Sequence, residues 1–298
     1  MRFLNYKTTQ ELLFEFKNRL ITISKSDSSK RGILSGFYKL DTITKGFKPA
    51  DLILVCGAED MGKTSFTVSL IRKMAFENKY PTVFFSLQLT SAQVMNAIVS
   101  QQTKISAGKF RNNSLNPEET ELIFQKMQEY ENTQLYVYDY PFLTVYDLEK
   151  ILECNPPDFA EVIIIDSLQL MAKNKKDQAT KVLNKRELTK ITFKLKKLAV
   201  KFNITILLIA DINLISKKQD MRPLLSDIRK YAPIETYADL VLVLYRPEYY
   251  KIEEWDDEEQ TSTIGEAEII IAKNKNGILD NIRVKFDGRL GMFDNLSC

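Results

Sequence analysis

The 298-residue chain contains no histidine, which excludes imidazole acid/base chemistry and Ser-His-Asp catalysis, and removes the commonest metal ligand. Its three cysteines, Cys56, Cys154 and Cys298, lie far apart with no CxxC spacing, so a zinc site is not indicated. No stretch approaches 18 uninterrupted apolar residues. The opening MRFLNYKTTQELLFEFK has neither the apolar core nor the small-residue cleavage site of a signal peptide, so a soluble, cytoplasmic protein with no membrane partner is expected. Internal repeats and low-complexity tracts are also lacking.

What is present is a hydrophobic content of 44%, ample for one large α/β domain with a short appendage. The net charge of +3 hides an uneven distribution: Lys173 to Lys201 holds eleven Lys or Arg against Asp177 and Glu187, whereas Glu253, Glu254, Asp256, Asp257, Glu258 and Glu259 form an acidic cluster. The basic segment suits a polyanion such as nucleic acid or, equally, a solvated helix face.

Residues 8 to about 25 read as an amphipathic helix, with Thr8 and Glu11 as its capping box and Leu12, Leu13, Phe16 and Leu20 as its apolar face. The serine-rich stretch from Ser26 to Arg31 reads as a linker, which sets residues 1–31 apart from a core at 32–298. In that core, apolar runs at 52–56, 82–87, 135–138, 162–165, 204–209 and 240–244 alternate with helical patterns at 63–78, 91–102, 117–130, 145–152 and 180–202. Continuous apolar runs predict strands covered on both faces, hence a mostly parallel sheet with helices on both sides. Residues 266–273 and 281–286, around Asn276-Gly277, predict a closing antiparallel pair.

Gly57-Ala58-Glu59-Asp60-Met61-Gly62-Lys63-Thr64 fits GxxxxGK(S/T), directly after a buried-type strand and directly before a helix. Glycine lets the loop turn its N–H groups toward phosphates, the helix start adds partial positive charge, Lys63 reaches the terminal phosphates and Thr64 offers a hydroxyl to Mg²⁺. Glu59 and Asp60 are unusual beside a triphosphate; turned inward they would oppose its binding. Val162-Ile163-Ile164-Ile165-Asp166 has the form of a strand that ends on a metal-steering carboxylate.

These residues resemble the C-terminal RecA-like motor domain of DnaB-type replicative helicases. The resemblance runs from about Gly32 to Phe293 through Gly32-Ile33-Leu34-Ser35-Gly36-Phe37 with Leu40-Asp41, the phosphate loop, Phe85-Ser86-Leu87-Gln88 and Ile165-Asp166-Ser167-Leu168-Gln169-Leu170. It continues through Arg222 to Arg229, Ala238-Asp239, Tyr245-Arg246 and Ala272 to Gly277. It implies a homo-oligomeric ring, usually hexameric, with ATP and Mg²⁺ between subunits and single-stranded DNA in the channel, with a helicase loader or primase as further partners. The N-terminal helix then resembles the linker helix that docks on the adjacent subunit. Because only about thirty residues precede the core, a plasmid, phage or accessory helicase is expected.

Carried over residue by residue, the resemblance makes Lys63, Thr64 and Asp166 the phosphate and metal ligands, with Ser65 and Met61 completing the loop. Several positions depart from the family. The water-activating glutamate is Gln88, the sensor glutamine is Asp211, and the arginine finger is Lys275, with Lys273 retained. An amide orients water but takes no proton, and lysine keeps charge but loses the planar fork. Arg229, Lys230 and Ala232 match the loop that contacts DNA phosphates, Ala232 through its N–H. The residues at 173–176 are a second channel candidate, while Arg186, Lys190, Lys194, Lys197 and Lys201 recur as a regular stripe that fits a solvated face. The leading functional expectation is an ATP-driven helicase motor. The alternatives are a hydrolysis-impaired regulatory or clamp protein, from the joint departure of Gln88, Asp211 and Lys275, and a RecA-type recombinase, from the lysine pair.

Overall fold

The computed structural model describes residues 8–10, 13, 14, 17, 32–171, 183–212 and 222–296. It divides into two compact units, Met1–Gly32 and Ile33–Cys298. In the first, Thr9, Gln10, Leu13, Phe14 and Lys17 are helical. Glu11, Leu12, Phe16, Leu20 and the serine-rich linker lie outside the described residues, as do the 173–176 loop and Cys298.

The second unit runs α1 (Tyr38–Thr44), β1 (Leu52–Gly57), α2 (Lys63–Ile71), β2 (Thr82–Ser86), α3 (Ser91–Thr103), α4 (Ala107–Arg111), α5 (Pro117–Tyr130), β3 (Leu135–Tyr138), α6 (Val145–Cys154) and β4 (Val162–Asp166). It continues with α7 (Lys185–Phe202), β5 (Thr205–Asp211), α8 (Leu225–Tyr231), β6 (Leu240–Tyr245), β7 (Glu266–Asn274), β8 (Asn281–Asp287) and β9 (Met292–Asp294). The strands form one sheet in the order β3-β2-β4-β5-β1-β6-β7-β8-β9. The first six are parallel to their neighbours and the last three antiparallel.

Continuous hydrophobicity along the central strands matches burial on both faces: β1, β2, β4 and β6 are buried at every position. Ile53, Val55, Phe84, Ile164, Leu207 and Ile209 pack on one side with α2 and α3. Leu52, Leu54, Val83, Phe85, Ile163 and Ile165 pack on the other with α6 and α7. Helix α7 starts where Asn184 and Glu187 exchange side-chain and backbone hydrogen bonds of 3.1 and 3.0 Å, a capping box that satisfies two otherwise orphaned N–H groups. It buries Leu188, Ile191, Leu195 and Leu198 and turns Arg186, Lys190, Lys194, Lys197 and Lys201 to solvent. The regular basic stripe is thus a solvated face, with Lys201 paired to Glu149 and Glu153.

Two features differ from the pattern-based expectation. The helix expected over 63–78 is α-helical to Ile71 and π-helical over Arg72–Glu77. That segment carries Arg72 and Lys73 to the Asp294 carboxylate at 3.3 and 2.7 Å. The short elements α1, α4, α8 and β9 are additional. Strand β9 matters most: Phe293 is fully buried, packs edge-on against Phe66 of α2 at 5.3 Å, and closes the apolar floor under the phosphate loop. The acidic 253–259 cluster lies in a loop with its carboxylates mostly exposed, around one buried ring. Trp255 is buried beneath the Arg283 guanidinium, 4.5 Å from its ring, and Arg283 also pairs with Asp257 at 2.7 Å.

Candidate nucleotide site

Parallel strands in the order β4-β5-β1 bring three carboxyl-terminal ends side by side. Gly57 stands opposite Asp211 across β1 and β5, and Asp166 stands opposite Ser86 across β4 and β2. The crevice beyond such strand ends is where open α/β sheets bind ligands. A cavity of about 530 Å³ occupies it, lined by Glu59, Asp60, Gly62, Lys63, Thr64, Ser65, Gln88, Asp166, Asp211 and Ile212.

The loop turns into α2 at Gly62, whose φ of +83° is open to glycine and strained for other residues, and where a Cβ would lie 3.2 Å from the Phe293 ring. Met61 is buried in the floor, so it shapes the loop from beneath and does not face the cavity. Glu59 and Asp60 are exposed at the crest, with Asp60 Oδ2 3.4 Å from the Tyr249 hydroxyl. Lys63 is largely enclosed. Its ammonium donates to the Ala58 carbonyl at 2.6 Å and lies 2.9 Å from Asp211 Oδ1.

The Thr64 hydroxyl donates to Asp166 Oδ2 at 2.8 Å. Loss of solvent pushes the Asp166 carboxyl up to about 6; the Thr64 hydrogen bond and Lys63 pull it down, while Asp211 adds to the rise. A buried carboxylate against a hydroxyl at a helix start is a hard-oxygen donor pair suited to Mg²⁺, which typically takes one or two carboxylates and completes its shell with waters and substrate phosphates. The residues present therefore fit Mg²⁺ with a nucleotide phosphate. Gln88 is exposed at the cavity edge, and among the described residues its amide has no hydrogen-bond partner.

Sequence reasoning missed Gln169. Its amide accepts from the Asp211 N–H at 3.1 Å and donates to the Asp211 carbonyl at 2.8 Å, clamping the end of β5. It also lies 3.4 Å from the Tyr231 hydroxyl on α8.

Other predicted site residues lie elsewhere. Lys273 donates to the Glu235 carbonyl at 2.6 Å, and Lys275 pairs with Asp239 at 2.8 Å. Asp239 also accepts from the Leu52 N–H, at the opposite end of β1 from Gly57. Five residue steps of strand separate those ends, roughly 17 Å at about 3.3 Å per residue, so neither lysine reaches this cavity within its own chain. On α8, Arg229 pairs with Glu235 at 2.8 Å while staying largely exposed, and Lys230 is exposed 3.9 Å from Asp227. The expectation that Ala232 has a free N–H to donate is corrected: Ala232 is buried, and its N–H closes the helix on the Ile228 carbonyl at 2.9 Å.

A glycine-turned loop feeding α2, with a strand-end aspartate against its threonine in a mostly parallel sheet, defines a P-loop domain of the RecA-like fold. Residues 32–295 match the family model described as the DnaB-like helicase C-terminal domain. The chain belongs to that family.

Among named relatives, it is 29% identical over 293 residues to the replicative DNA helicase DnaB of Geobacillus stearothermophilus, covering 98% of this chain and 62% of the relative. It is 31% identical over 281 residues to the replicative DNA helicase DnaB of Haemophilus influenzae, covering 92% and 57%. The chain thus spans about 60% of the length of these relatives. A solved DnaB-like replicative helicase, described with its interactions with primase, superposes with a TM-score of 0.81 at 24% identity, over 98% of this chain and 69% of that one.

Proposed function

We propose that the chain is an ATP-hydrolysing DNA helicase motor that binds Mg-ATP in the strand-end cavity and works as a homo-oligomeric ring, hexameric by family resemblance, on single-stranded DNA in replication. The observation that carries this reading is the convergence of Lys63, Thr64 and Asp166 at one helix start, with the Thr64 hydroxyl 2.8 Å from Asp166. Lys63 would bind the terminal phosphates, and Thr64 with Asp166 would hold the metal. Main-chain N–H groups between Gly57 and Ser65 cradle the phosphates at the positive end of α2. When bound, the metal neutralises charge on the phosphate oxygens. Gln88 orients the attacking water.

The roughly 17 Å between this cavity and the Lys275 end of β1 supports the ring: these lysines serve a nucleotide only by reaching that of a neighbouring copy. Arg229 and Lys230, exposed on α8, supply the positive charge for DNA phosphates. The helicases that this chain resembles act in replication, and one is described with primase, which makes primase or a helicase loader the protein partner to test. Residues 1–31 serve as the linker segment and 32–298 as the motor.

The test is an ATPase assay with and without single-stranded DNA. DNA-stimulated turnover that Lys63→Ala abolishes supports the motor. The exposed amide of Gln88, which takes no proton, favours a second reading: an ATP-holding regulatory or clamp protein. Tight Mg-ATP binding without turnover establishes that reading instead.

A further inference from the structure

We infer that Asp211 is the proton acceptor for the water that attacks the terminal phosphate, and that Lys63 covers this carboxylate until a phosphate takes the lysine. The inference rests on the nucleotide-binding reading above. With no histidine in the chain, a neutral-pH proton acceptor is sought among carboxylates, and those lining the cavity are Glu59, Asp60, Asp166 and Asp211. Asp166 accepts the Thr64 hydroxyl and is the carboxylate proposed above for the metal. Glu59 and Asp60 sit on the exposed loop crest, Asp60 toward Tyr249. Asp211 alone among these four stands beside the Lys63 ammonium, at 2.9 Å, and so beside the position a terminal phosphate oxygen takes.

Two further features suit the role. The Asp211 main chain is clamped on both sides by Gln169, which fixes the carboxylate on a strand end rather than a loop. Its side chain is 43% exposed against 10% for Lys63, so water reaches it. In the step, the water oxygen forms a bond to the γ-phosphorus and the bond from that phosphorus to the bridging oxygen breaks. The electron pair of that bond leaves with the diphosphate. The water proton passes to Asp211 and then to solvent. Gln88, at the end of β2, holds the water from the cavity edge. A phosphate that takes the Lys63 ammonium frees Asp211 from its ion pair, so the acceptor becomes available when the terminal phosphate is in place. The same carboxylate repels that phosphate, and binding and turnover therefore respond in opposite directions when its charge is removed.

The test uses the full chain with single-stranded DNA, measuring turnover and, separately, the affinity for a fluorescent non-hydrolysable Mg-ATP analogue. Asp211→Asn should lower kcat by about 10²- to 10⁴-fold, the usual contribution of a general base, with analogue affinity equal or tighter. Asp211→Glu should stay well above the Asn variant. Gln88→Glu combined with Asp211→Asn, which moves the carboxylate across the cavity, should recover part of the loss. Turnover in Asp211→Asn equal to or above wild type overturns the inference, as does equal turnover in the Asn and Glu variants. Analogue binding by wild type without any turnover also overturns it and leaves the nucleotide site standing. If wild type binds no analogue, the nucleotide reading itself falls.

Discussion

Asp166 shows how one buried side chain ties chemistry to stability. Its carboxyl is raised from 3.8 to about 6, chiefly by desolvation, so between those values the folded protein holds a proton that the unfolded chain has released. Stability contributed by the neutral form is present below about 4 and is lost as pH rises through about 6. Asp166→Asn should flatten that part of the profile, as read by denaturant unfolding followed through the single tryptophan, Trp255; an unchanged slope contradicts the assignment. Mg-nucleotide affinity should move the opposite way, weakening as the carboxyl protonates below about pH 6. At this scale the sequence was legible where the motif is contiguous: the loop from Gly57 to Ser65 and Asp166 stand where their spacing implies. The Lys63–Asp211 pair and the Gln169 clamp were not legible, because they arise only when β5 inserts between β4 and β1. Ala232 was misread because a tetrapeptide match does not say which N–H groups a helix end has already used.

Helices and strands with long, strongly patterned sequences were recoverable from hydrophobic period alone, and the six parallel strands fall within a residue or two of the apolar runs. Short elements were not. Strand β9 has three residues and α4 five, too few to display a period, and their existence depends on partners far along the chain. Strand β9 gives a sharp test, since Phe293 is fully buried between Phe66 and Phe286. Phe293→Ala should cost about 3–5 kcal/mol and, by loosening the floor under Gly62, weaken nucleotide binding as well; calorimetric unfolding with a parallel nucleotide titration checks both. At the head of α7, Asn184→Ala removes the capping-box acceptor and should cost about 1 kcal/mol, seen as a lower denaturation midpoint with unchanged nucleotide affinity.

For the whole molecule, the sheet places the proposed nucleotide cavity at one end of the parallel strands and Lys273 with Lys275 at the other. The two lysines are held there by the Glu235 carbonyl and by Asp239. Lys275→Ala should leave nucleotide affinity intact but reduce turnover, and subunits of Lys275→Ala mixed with Lys63→Ala should recover some activity, because a mixed interface can pair an intact loop with an intact lysine. Absence of complementation at every mixing ratio argues against action between copies. The measurement that bears most directly on the whole account is a calorimetric titration of Mg-ATP into wild type and Lys63→Ala, with single-stranded DNA present. Saturable binding by wild type that the substitution removes is the predicted result. No heat from wild type, or equal affinity in both proteins, would contradict it.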